Sequence, residues 1–115
     1  MQLFSHSAVA VMQGSVLMFS AFQDDGPMWT DTGPRAERRQ ISFEKPFLAP
    51  PVVHVSCGMW DIDGRQNQRA DISAENVTTT GFEIVFRTWG DTRVARIRAE
   101  WLAIGAMRHE DDFDL

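Results

Sequence analysis

Tyrosine is absent from this 115-residue chain, and cysteine and lysine occur once each. The single cysteine, Cys57, excludes a disulfide within the chain. With only three scattered histidines beside it, no structural zinc site is spelled out. Cys57 reads as a small buried apolar residue of a strand rather than as a reactive thiol. No apolar run approaches the roughly 18 residues of a membrane-spanning helix, so no membrane insertion is expected. The N-terminus lacks a basic stretch leading into an apolar one. No signal peptide is read, and cytoplasmic synthesis is expected, with later release or association with a particle left open. Basic charge is scarce and rests almost wholly on arginine, ten against the one Lys45. The net charge of −5 disfavours a general role on nucleic acid or anionic membranes. A helical period is missing throughout.

What is present is strand and turn. The length suits one domain, and 43% apolar residues with eight Phe and four Trp are enough for one core. Residues 81–92 carry the clearest signal. Phe82, Ile84 and Phe86 alternate with Glu83, Val85 and Arg87, the pattern of a strand with one apolar face. Thr88, Trp89, Gly90, Asp91 and Thr92 then form a polar turn with a large aromatic near its start. Further strands are expected at 15–22, 40–44, 52–59, 68–77 and 93–107. Breakers such as Gly26, Pro27, Gly33 and Pro34 mark a long loop over 23–38. Asp61, Asp63 and Gly64 mark another turn. Gly14 is expected to break the chain, which predicts an N-terminal arm or short strand at 1–13. A sandwich at 14–107 follows, then an acidic tail at 108–115 carrying Glu110, Asp111, Asp112 and Asp114. Strands without crossover helices predict an all-β fold, a six-stranded antiparallel β-sandwich. In the last strand Ala95, Ile97, Ala99, Trp101 and Ala103 share a core face, and Arg96, Arg98, Glu100 and Leu102 share the other. The arginines there suit either solvent or subunit contacts.

An ordered set of short segments over residues 35–105 resembles the H-type lectins, small six-stranded sandwiches typified by snail agglutinins that bind N-acetylgalactosamine. The set comprises Ile41-Ser42-Phe43, Pro46-Phe47, Pro50-Pro51-Val52-Val53, Asp61 and Gln66-Asn67-Gln68-Arg69. It continues with Thr80-Gly81-Phe82, Thr88-Trp89, Asp91-Thr92 and Trp101. The resemblance implies a carbohydrate site. Arg69 matches an arginine at the start of the fourth strand that binds sugar hydroxyls, a task suited to a guanidinium's parallel donors. Trp89 matches the tryptophan of the family's Thr-Trp step. Gly90 stands where the snail lectin places a histidine on the acetamido group, and Ala95 where a further aromatic can stand. For the acid supplied by the first loop, an ungapped count lands on Thr32. The neighbouring Asp31 is the chemically suitable residue. The plainer alternatives are a surface or interface role for Arg69, a capping role for Trp89 and turn capping for Asp61 and Asp63.

The expected function is therefore a non-catalytic, galactose- or N-acetylgalactosamine-binding lectin. It would have no cofactor or metal and would act as a homotrimer or a hexamer of paired trimers. The alternative is a trimerising or adhesion module of a phage-like tail or surface appendage with little sugar binding. Catalysis is disfavoured, because His6, His54 and His109 are scattered with no nucleophile nearby.

Overall fold

The computed structural model describes residues 1–6 and 8–109, so residues 110–115 of the acidic tail expected at 108–115 lie outside the described residues. Six strands form: β1 (Ala8–Ser20), β2 (Arg35–Ser42), β3 (Val52–Ile62), β4 (Asp71–Glu75), β5 (Gly81–Thr88) and β6 (Val94–Met107). They make two three-stranded antiparallel sheets, ordered β1-β6-β3 and β2-β5-β4. The two strands with the cleanest alternation, β5 and β6, are the central ones, because each must satisfy a ladder on both edges and a core on one face.

The sheets face each other across Phe82, Ile84 and Phe86 of β5 and Ile97, Ala99 and Ala103 of β6, all with no exposed surface. Met18, Phe43 and Phe47 join them, and Phe43, Phe47, Phe82 and Trp101 form a run of ring contacts with centroids 5.0–6.1 Å apart. Burying one such ring contributes on the order of 2–3 kcal/mol, so the aromatic end of the sandwich anchors the fold. The core face of β6 departs from strict alternation at its start. In the β3 ladder Ile62 pairs with Val94 and Asp61 with Arg96, so Ala95 is passed over and Val94 enters the core in its place.

Three expectations about boundaries are corrected. Gly14 does not break the chain, since β1 runs unbroken through it, paired with β6 from Ala8 to Ser20. The glycine is there for space. A Cβ at Gly14 would lie 2.6 Å from Nε1 of Trp101, whose ring occupies the position beside it. The segment 23–38 is not simply a loop. It holds the last residues of a one-turn helix α1 (Ala21–Asp24), all of a second, α2 (Pro27–Thr30), and the first half of β2. Pro27 opens α2 where a missing N–H costs nothing, and Asp25 takes the left-handed conformation between the two turns. β2 was hidden by charge on both faces. Arg38 points outward while Glu37 and Arg39, paired at 2.5 Å, lie on the half-buried side of this edge strand. Finally, β4 is confined to Asp71–Glu75, shorter than the 68–77 expected.

The outer faces differ. On β2-β5-β4, Arg38, Glu75, Glu83 and Arg87 form ion pairs beside the fully buried Val85. On β1-β6-β3, Val11, Ile104 and Val52 share one row, the exposed Val9 adjoins it along β1, and the exposed Leu17 lies farther along, beyond Gln13 and Ser15. His54 is exposed on that face, in the row of Leu102 and Gln13. The β6 arginines are engaged within the chain: Arg96 meets Asp61 at 3.1 Å, and Arg98 donates to the Gly58 carbonyl at 3.1 Å.

Candidate functional site

The turn 89–93 between β5 and β6 meets two other segments at one end of the sandwich. Thr88, which ends β5, and Thr92, within the turn, hold the first. Thr88 and Thr92 are buried, and their hydroxyls donate to the carbonyls of Arg69 and Asn67. The Thr92 Oγ1 also accepts from the Arg69 N–H at 3.1 Å. A strand that is edge-bound and short therefore has its lead-in, 67–69, fastened by two side chains of the neighbouring turn. Such pairing is what a buried backbone requires.

The second segment is the loop before β2. The Gly90 carbonyl accepts from Gly33 N–H at 2.8 Å and from Arg35 Nη2 at 3.2 Å. Arg35 also donates through Nε to the Gly33 carbonyl and through Nη1 to that of Met28. Burial lowers its pKa and the charge of Asp31 raises it, burial having the larger effect.

Arg69, Trp89, Gly90 and Asp31, the residues singled out by sequence, all lie in this region, in three different relations. Arg69 and Gly90 touch. Gly90 has φ +69°, and a Cβ there would sit 3.0 Å from Arg69 Nη1, so glycine serves both the turn and the guanidinium. Trp89 is 44% exposed and faces a different group, a cavity shared with Pro34, Ala36, Asp71 and Arg87. Asp31 ends α2 and accepts from the Thr30 hydroxyl at 3.3 Å. Among the described residues it makes no hydrogen bond or ion pair with Arg69.

The carboxylate that does meet Arg69 is Asp91, with Nη1 to Oδ1 at 2.8 Å. Sequence reasoning placed Asp91 in the turn without a partner. Its spacing one residue beyond Gly90 was the available signal. Among the described residues, Nε and Nη2 of Arg69 make no hydrogen bond, so a fixed, partly exposed side chain keeps donors for a ligand hydroxyl, with the Asp91 carboxylate beside it as an acceptor. The other groups weighed as reactive are explained structurally. Burial pushes the Cys57 thiol up, away from thiolate. Asp63 accepts from the Arg65 backbone N–H and side chain, which hold its carboxyl down at about 2. Asp61 lies in β3 instead of in the turn, and pairs with Arg96. No group of three or more potential metal ligands occurs among the described residues.

Comparison with known proteins agrees with this architecture. The model of the H-type lectin domain matches residues 38–104. The product of "ATP synthase subunits region ORF 7" of Fuscovulum blasticum is 52% identical over 109 residues, 95% of each chain. Discoidin-2 of Dictyostelium discoideum is 31% identical over 101 residues, which is 87% of this chain but 37% of that protein. The solved structure of discoidin II from the same organism superposes with a TM-score of 0.75 at 27% identity, covering 91% of this chain and 40% of that one. The chain thus spans well under half the length of its discoidin relatives. By the family match and by these relatives, the chain belongs to the H-type lectin domain family.

Proposed function

We propose that this protein is a non-catalytic, carbohydrate-binding lectin whose site centres on Arg69, with Asp91, Trp89, Gly90 and the Asp31 loop around it. The observation that carries the reading is the Arg69–Asp91 pair at 2.8 Å. It presents charged donors and an acceptor within one short reach, matching the vicinal hydroxyls of a galactose-type O3/O4 edge. Gly90 offers neither a ring nor a side-chain donor for an acetamido group, so galactose itself is favoured over N-acetylgalactosamine. The shallow site implies monosaccharide affinity near about 1 mM, or roughly −4 kcal/mol. Useful capture then comes from several sites on one particle, where avidity adds about 10² to 10⁴.

A homotrimer, alone or paired into a hexamer, supplies those sites in this reading. It is supported by the outward row of Val11, Ile104 and Val52 with the exposed Val9 beside it, apolar surface that a partner copy would cover. The same face favours the second reading, an assembly or adhesion module with little sugar binding. Arg69→Ala separates the two. For a lectin, binding to galactose-bearing surfaces falls at least about tenfold while the oligomer in solution is unchanged. Loss of the oligomer with no sugar bound by the parent protein decides for the assembly role.

A further inference from the structure

We propose that the cavity beside Trp89 is a second sugar subsite, holding the pyranose next to the one on Arg69. This rests on the lectin reading and extends it. The cavity has a volume of about 440 Å³, within the roughly 300–1,000 Å³ of small-molecule sites. Its floor is one row across the β2-β5-β4 sheet, Ala36–Arg87–Asp71. Ala36 keeps that row low on the β2 side. Arg35 pairs with Thr88, so Pro34 and Trp89 stand together just beyond the end of the ladder and wall the cavity.

The chemistry suits a sugar ring. A pyranose has an apolar C–H face, which an exposed indole covers, and a hydroxyl edge, which needs acceptors and donors. Trp89 supplies the first. Asp71 supplies acceptors: its Oδ2 is 3.9 Å from Arg87 Nη1, too far for a hydrogen bond, so its lone pairs remain open to a ligand. Arg87 is held at the floor by Glu75 at 2.7 Å. The cavity is continuous in sequence with the Arg69 site at two points. Trp89 adjoins Gly90, and Asp71 follows Arg69 by two residues. The two groups therefore flank the same turn, as neighbouring units of one glycan would require.

The test compares NMR titrations of the intact protein with methyl galactoside and with galactose-terminated disaccharides of different linkage. At least one disaccharide is expected to bind about fivefold to tenfold more tightly than methyl galactoside. Ala36→Trp, which fills the cavity from an exposed strand position, removes that gain and leaves methyl galactoside affinity unchanged. Asp71→Asn lowers disaccharide affinity alone. Equal affinity for methyl galactoside and every disaccharide overturns the subsite and leaves the lectin reading standing. So does a parallel loss of both affinities in the two variants. Failure of the parent protein to bind any sugar overturns the lectin reading, and the subsite with it.

Discussion

Arg69 and Asp91 form an ion pair of 2.8 Å alongside Gly90, whose missing side chain leaves room for the guanidinium. The Arg69 side chain is 33% exposed and that of Asp91 58%, so the screened pair contributes at most about 1 kcal/mol to stability. Its consequence is positional. It holds a long side chain at a turn that is itself fastened to two other segments.

Gly90→Ala is expected to disturb both partners. The backbone conformation at φ +69° costs a residue with a Cβ about 1 kcal/mol. The added methyl also meets Arg69 at 3.0 Å and displaces it. Urea unfolding should show a loss of about 1–2 kcal/mol, and galactoside affinity should fall with it. Unchanged affinity would separate Gly90 from the Arg69 site.

Thr92→Val removes a buried hydroxyl that donates to the Asn67 carbonyl and accepts from the Arg69 N–H. The side-chain volume stays nearly constant, so the loss is of hydrogen bonds. Leaving buried groups unpaired costs about 1–3 kcal/mol. Unfolding should shift accordingly, and hydrogen exchange at the Arg69 amide should quicken, because its acceptor is gone.

Gly14→Val tests the packing of Trp101. The new side chain would overlap the indole, 2.6 Å from the position a Cβ would take. Overpacking of this kind costs about 1–3 kcal/mol. The near-ultraviolet circular dichroism should change with it, because the ring must leave its contacts with Phe82 and Phe43.

Stability in acid should carry the mark of Asp63. Hydrogen bonds from Arg65 lower its pKa from 3.8 to about 2 in the folded chain. The folded state therefore favours the ionised form. That contribution is complete above about pH 4 and is lost as pH falls from about 4 through about 2. Thermal melts of Asp63→Asn should lie parallel to those of the parent protein below pH 2 and fall beneath them above pH 4. Curves parallel across the whole range would remove Asp63 from the acid response.

The turn 89–93 shows how far the sequence reaches. Alternation at Phe82, Ile84 and Phe86 announces β5, because a period of two can place only one set of side chains in a core. The Thr-Trp-Gly-Asp-Thr run announces a polar turn, and its spacing from Arg69, in family context, marks the region of the proposed site. β2 was illegible in its first half, since Glu37 and Arg39 put charge on the side that pattern reading expects to be apolar. That arrangement is tolerated at a half-buried edge strand, where both side chains reach solvent and each other. Gly14 misled for the opposite reason. A glycine inside a strand signals a break when only local propensity is considered, and a recess when a ring must fit there.

By itself, the sequence determined the all-β class, the strands β5 and β6, an aromatic-rich core and the short list of residues around the turn. Periodicity and turn chemistry are local, and local order suffices to record them. Which carboxylate meets Arg69 was decided only by tertiary structure. Asp31 and Asp91 are equally suitable as residue types. The clamps from Thr88 and Thr92 and the anchoring of Gly33 and Arg35 on the Gly90 carbonyl place one beside the guanidinium and the other beside Arg35. The same is true of Trp89, whose partners Ala36, Asp71 and Arg87 come from three strands that only sheet pairing brings into one row.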